Sequence, residues 1–216
     1  MVTNLDGIER EIGDPVDLAI IWLHGLGADA SDFLPIAAEL DLPSGTRFVF
    51  PNAPFRPVTI NAGHVMRAWY DIAGFGDDAP EDTDGLGASV TLVARLVERE
   101  LGRGIARERV VLAGFSQGGA VVLHAGLGAA GPVGGIIALS TYLPAAARLT
   151  AGAMQTGVPV LLAHGTADPV IPLALAERSR RLLVARGVEV DWSTWPMGHE
   201  VTREETERIS SWLRRL

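Results

Sequence analysis

Six short apolar runs, at residues 18–23, 47–50, 110–113, 135–139, 158–163 and 188–195, are spread along the chain and mostly lack polar alternation. A strand with one face in water alternates apolar and polar residues. Runs of this length that do not alternate suit strands covered on both faces. Between them lie amphipathic stretches: Leu86, Val90, Val93, Val97 and Leu101 recur at helical spacing, with Arg95, Glu98 and Arg99 interleaved on the other side. Repeated strand and helix predict an α/β fold, a mainly parallel central sheet with helices on both faces. A final helix is expected after Thr202, with Glu205 three residues on as a capping box and Ile209, Trp212, Leu213 and Leu216 as its apolar stripe.

At 216 residues and 48% hydrophobic, the chain is expected to form one domain over residues 1–216 with a full core. The formal charge of -8 argues against nucleic acid or an anionic membrane as partner and favours neutral or cationic small molecules. The first fifteen residues show neither a basic start nor a long apolar segment, and the apolar runs are too short to cross a bilayer, so a cytoplasmic protein without membrane insertion is expected. No cysteine is present, which excludes disulfides, thiolate nucleophiles and cysteine-zinc sites. No lysine is present either, and all 18 basic residues are arginine, which excludes Schiff-base chemistry, a phosphate-loop lysine and a Ser-Lys dyad. No cofactor or metal is predicted. Serine with a histidine base survives among the common covalent mechanisms.

The stretch Gly114-Phe115-Ser116-Gln117-Gly118 fits that mechanism, because it places a serine on a GxSxG turn between a strand-like run and a helix-like one. Glycines at 114 and 118 lack a Cβ, so strand and helix can approach closely while Ser116 takes a strained conformation and projects outward. Ser116 Oγ is the predicted nucleophile. The plain alternative is a Gly-Ser turn that only links strand to helix.

A serine hydroxyl needs a base oriented by a third group. Of the five histidines, His199 sits in a short loop between the last strand and the last helix, on the sheet edge that carries Ser116. His124 falls two turns into the helix after Ser116, His64 in an irregular loop, and His24 and His164 each precede a glycine at a strand end, where structural hydrogen bonding is the simpler reading. Asp168 follows the 158–163 run and is the candidate orienting acid, although Asp before Pro169 also initiates turns. The chain order Ser116, Asp168, His199 is that of the α/β-hydrolase triad. Backbone amides for an oxyanion hole are assigned to Gln117, after the nucleophile, and to Leu26 in the glycine-rich turn His24-Gly25-Leu26-Gly27. The segment 51–85 shows little periodicity and is read as a long loop, ordered as a site wall by Trp69 and Tyr70.

These residues carry a resemblance. His24-Gly25-Leu26-Gly27, Pro51-Asn52-Ala53-Pro54, Trp69-Tyr70-Asp71-Ile72, Gly114-Phe115-Ser116-Gln117-Gly118-Gly119, Ser140-Thr141-Tyr142-Leu143-Pro144, His164-Gly165-Thr166-Ala167-Asp168-Pro169-Val170-Ile171-Pro172 and Gly198-His199 run from end to end. With them the chain resembles the carboxylesterase and acyl-protein thioesterase family of α/β hydrolases. The resemblance implies hydrolysis of carboxylic esters or acyl thioesters, with Ser116, Asp168 and His199 as triad, the Leu26 and Gln117 amides as oxyanion donors, and a frequent homodimer. One departure is visible: the family often has a longer polar glycine loop after HGLG, whereas here Ala28-Asp29-Ala30-Ser31-Asp32 runs into Phe33-Leu34, which alters one pocket wall.

Only a short stretch separates Ser140 from Asp168, so no cap domain fits there. An open groove is expected, roofed at most by the 51–85 loop, with Trp69, Phe75 and Leu143 as acyl contacts. Two other readings stay open: an acyltransferase or hydrolase of another small acyl derivative with the same triad, and a binding protein that has kept the fold without the activity.

Overall fold

The computed structural model describes residues 6–42, 45–75, 79–150 and 154–216. Its centre is a seven-stranded sheet in the order β1 (Gly7–Ile12), β3 (Thr46–Pro51), β2 (Leu18–Leu23), β6 (Val110–Phe115), β7 (Gly135–Leu139), β8 (Val160–Gly165), β9 (Val190–Trp195). β1 runs antiparallel to β3, and every other neighbouring pair is parallel.

The unbroken apolar runs have a direct structural cause. Along β2, Ala19, Ile21 and Leu23 enter one core, while Leu18, Ile20 and Trp22 enter the other. β8 divides the same way, with Val160 and Leu162 on one face and Leu161 and Ala163 on the other. Both faces are therefore apolar, and a one-residue slip of register costs little in polarity. What distinguishes the faces is the set of helices packed on them. α2 (Thr83–Gly102), α3 (Gln117–His124) and α5 (Leu173–Ala185) bury Val93, Val121 and Leu183 in the first core. α1 (Leu34–Glu39) and α6 (Arg203–Leu213) bury Ala37, Ile209 and Trp212 in the second.

Three strands depart from the sequence expectation. β1 reads GIEREI, an edge strand with mostly exposed side chains and so no apolar run to detect. β4 (Phe55–Val58) and β5 (His64–Arg67) form a separate antiparallel hairpin inside the segment expected to be an irregular loop. That segment also holds a bridge between Ile72 and Glu81, and α2 already begins at Thr83, capped by the Asp82 side chain on the Gly85 amide. Residues 76–78 of it lie outside the described residues. Between Ser140 and Asp168 the described residues hold only the short helix α4 (Ala146–Thr150) and β8, and no cap domain stands there among them.

Candidate active site

Ser116 follows β6, the fourth strand of seven, and immediately precedes α3. Its backbone lies at φ 54°, ψ -119°, a region that costs a non-glycine residue energy and persists only when the surroundings enforce it. The enforcing contacts come from two glycines. A Cβ on Gly114 would fall 2.4 Å from the Gly118 carbonyl carbon, and one on Gly118 would fall 2.5 Å from the Leu23 oxygen. The turn is then pinned at both ends of Ser116, whose amide donates to the Leu139 oxygen at 2.8 Å and whose carbonyl accepts from Thr141 Oγ1 at 2.7 Å.

Asp168 follows β8 and His199 follows β9, which are paired in register up to Gly165 and Trp195. Gly165 lets the two loops touch: a Cβ there would meet the Met197 oxygen at 2.3 Å. The Ala167 amide, in turn, donates to that same oxygen at 3.1 Å. The Asp168 carboxylate is fully buried. Its Oδ1 accepts from the amides of Val170 and Ile171 at 2.8 and 2.9 Å, and its Oδ2 accepts from His199 Nδ1 at 2.7 Å. Spending Nδ1–H on the carboxylate leaves Nε2 of a neutral His199 as the ring's basic nitrogen. Phe115 lies against the His199 ring with centroids 4.7 Å apart, and Phe33 and Trp22 continue this aromatic backing.

The turn after β2 is held as firmly. Buried His24 accepts from the Ala53 amide through Nε2 at 3.1 Å, so its proton sits on Nδ1 and is donated to the Gly25 oxygen at 2.7 Å. Burial pushes the His24 pKa down, consistent with a neutral ring. Gly27, at φ 78°, donates its amide to the Arg67 oxygen at 2.9 Å and ties the turn to the hairpin. Among the described residues the amides of Leu26 and Gln117 donate to no protein acceptor. Both residues line the cavity at Ser116, so two free N–H groups are available to a developing oxyanion there.

That cavity has a volume of about 240 Å³ and is open to solvent. Ser116 and His199 both line it, together with Phe75, Tyr70, Ile72 and Tyr142. Phe75 meets Tyr142 edge-on at 5.7 Å. The other two expected acyl contacts require correction. Trp69 is fully buried beneath the site, where its Nε1 donates to the His24 oxygen at 2.8 Å and its amide donates to Gln117 Oε1 at 2.8 Å. It is a strut between the two amide-bearing turns and forms no part of the groove wall. Leu143 is buried too, and borders a neighbouring cavity along with Ser179, whose hydroxyl accepts from the Leu143 amide at 2.8 Å. In both cases the expectation treated a large apolar side chain near the motif as a wall, when the core had the stronger claim on it. Tyr70, adjacent to Trp69, takes the wall position instead; within an irregular segment no periodicity says which of two neighbouring aromatics faces out.

The remaining histidines do structural work. His124 is buried, with Nε2 donating to the Pro144 oxygen at 2.7 Å. His164 is fully buried and donates through Nε2 to the Ile171 oxygen at 2.9 Å, bracing the loop that carries Asp168. His64 is exposed on the hairpin, its Nδ1 2.7 Å from the Asn61 oxygen. Among the described residues no three metal-ligating side chains gather closely enough to hold an ion.

Comparison with known proteins gives the geometry its context. Residues 10–216 match the family model described as Phospholipase/Carboxylesterase. The chain belongs to that family. Acyl-protein thioesterase 1 of Gibberella zeae is 35% identical over 91% of this chain and 89% of its own length, and acyl-protein thioesterase 1 of Mycosarcoma maydis is 36% identical over 91% and 90%. Among solved structures, SOBER1 of Arabidopsis thaliana superposes with a TM-score of 0.86 at 31% identity, covering 92% of this chain and 98% of that one. Acyl-protein thioesterase 2 of Zea mays gives 0.83 at 29%, covering 97% and 98%. The fold is that of the α/β hydrolases, and the chain is a hydrolase of the serine esterase class.

Proposed function

We propose that this protein hydrolyses carboxylic esters and acyl thioesters of short to medium chain through an acyl-enzyme on Ser116. The observation that carries the reading is the buried Asp168 carboxylate bonded to His199 Nδ1 at 2.7 Å, with His199 and Ser116 facing one cavity that also holds two unbonded amides. In this reading His199 Nε2 takes the Ser116 proton as Oγ attacks the acyl carbon. Asp168 stabilises the resulting imidazolium, and the Leu26 and Gln117 amides bind the oxyanion. Collapse of the tetrahedral intermediate expels the alcohol or thiol with the proton from His199. Water then repeats the sequence on the acyl-enzyme and frees the acid.

Phe75, with Tyr70, Ile72 and Tyr142, is the apolar wall against which the acyl chain lies. The protein works as one domain over residues 1–216, in the cytoplasm, on small-molecule esters or acylated substrates, with a homodimer as its assembly. Its relatives named acyl-protein thioesterase support the thioester part of the reading. Ser116→Ala is the deciding variant: it is expected to abolish covalent labelling by a fluorophosphonate and to lower turnover by roughly a millionfold. Normal labelling of the folded variant would end the assignment.

A further inference from the structure

Asp32 is the one carboxylate among the described residues that line the Ser116 cavity, and no arginine lines it. The two lining tyrosines stay neutral, since burial pushes Tyr142 up to about 12 and Tyr70 well above its usual value.

An aspartate just before a helix is ordinarily spent on the helix's free amides. α1 begins two residues later, yet receives no side-chain cap. Asp29 shows what a structural aspartate does in this loop: its Oδ1 accepts from both the amide and the hydroxyl of Ser31, at 2.8 and 2.6 Å. Among the described residues the Asp32 carboxylate joins no ion pair, and Asp32 bonds only through its backbone amide, to the Asp29 oxygen. Asp32 is exposed at the cavity mouth, where partial desolvation of its carboxylate raises its pKa from the ordinary 3.8. With no protein partner to neutralise it, this carboxylate is left to attract a substrate cation held beside it in the groove, at the strength of a charge near the protein surface.

We infer that Asp32 sets substrate preference in the groove, selecting esters and thioesters that carry a cationic ammonium group over neutral molecules of the same shape. The inference rests on Ser116 being the reacting centre of that groove. The net charge of -8 adds long-range attraction of the same sign.

The test compares kcat/KM for shape-matched pairs in the unaltered protein and in Asp32→Asn. One pair is butyrylcholine and 3,3-dimethylbutyl butyrate, with the charge in the alcohol. The other is the phenyl ester of 4-(trimethylammonio)butyrate and that of 5,5-dimethylhexanoate, with the charge in the acyl group. For at least one pair the cationic member is expected to be preferred, and Asp32→Asn is expected to lower that ratio about tenfold, with the pair that responds locating Asp32 on the acyl or the leaving-group side. Fluorophosphonate labelling of Ser116 in the variant confirms that it is folded. Equal ratios in both proteins, with the neutral esters still turned over, overturn the role of Asp32 and leave the hydrolase reading intact. Absence of both labelling and turnover in the unaltered protein overturns the hydrolase reading, and the role of Asp32 with it.

Discussion

Trp69 shows what a single residue decides in this molecule. Its ring is fully buried, and its indole N–H satisfies the carbonyl of His24, the first residue of the turn that presents the Leu26 amide. Gln117 reaches the same segment from the nucleophile side: its Oε1 accepts from the Trp69 amide, and its Nε2 donates to the Tyr70 oxygen at 2.7 Å. The two turns that would form an oxyanion hole are therefore coupled through one buried aromatic. Trp69→Phe keeps most of the packing but strands the His24 carbonyl, and is expected to cost about 1–3 kcal/mol of stability, the usual penalty for a buried acceptor left without a donor. Because the ring does not border the groove, the ratio of kcat/KM between longer and shorter acyl esters should stay as in the unaltered protein. Denaturant melts together with a chain-length series check both halves, and a flattened series would return Trp69 to the groove wall. Ser116, Asp168 and His199 were readable in the sequence because each belongs to a short local pattern fixed by backbone geometry. Trp69 and Leu143 were misplaced because the direction of a side chain in an irregular segment is set by tertiary packing, which leaves no local trace.

At the scale of elements, α6 carries the most unusual group. The sequence predicts a reciprocal capping box, Thr202 with Glu205, and half of it forms: Thr202 Oγ1 accepts from the Glu205 amide at 3.4 Å. The other half does not. Glu205 is fully buried, with no hydrogen-bond partner for either carboxylate oxygen, and the Thr202 amide offsets its desolvation only in part without reaching hydrogen-bond geometry. Burial raises its pKa from 4.5 to about 8. Between those values the folded protein holds a proton that the unfolded chain has released, so this group's contribution to stability falls as pH rises. Glu205→Gln removes the ionisation while keeping the shape. Its stability relative to the unaltered protein should therefore improve by up to about 1.4 kcal/mol per pH unit across that interval. Urea titrations of both proteins at pH 5, 7 and 9 give the difference, and a constant difference would show that Glu205 is ionised in the fold. The same contrast separates what was legible from what was not. Existence of the helix and its Ile209 and Trp212 stripe follow from periodicity, whereas whether an acidic side chain turns to the amides or into the core depends on the neighbours it meets. β1, β4 and β5 escaped for a related reason, since short exposed strands have no apolar period to reveal them.

On the scale of the whole molecule, the sheet places Ser116, Asp168 and His199 after β6, β8 and β9, all at the carboxyl edge, where crevices form in open parallel sheets. This much was implied by the order of apolar runs and motifs, because parallel strands joined by helices must all end on one edge. The size of the groove was not, since it depends on which aromatics of the 51–85 segment face outward. The described cavity of about 240 Å³ falls below the range of pockets that enclose drug-sized ligands, and no cap covers it among the described residues. Phe75, Ile72 and Tyr70 can therefore bury several methylenes of an acyl chain but cannot enclose a long one. Each buried methylene contributes about 0.8 kcal/mol at most, close to a fourfold gain. In a series of aryl esters and acyl thioesters of graded length, kcat/KM is expected to climb by up to that factor per methylene over short chains and then level off or fall. Ser116 should serve both series, so Ser116→Ala should silence them together. Phe75→Ala is expected to reduce the slope of the rise while leaving the shortest ester least affected. A steady preference for insoluble long-chain triglyceride, with activation at the oil surface, would contradict this reading, because it requires a mobile apolar cover over a large acyl site, whereas the groove that holds Ser116 is small and open to solvent.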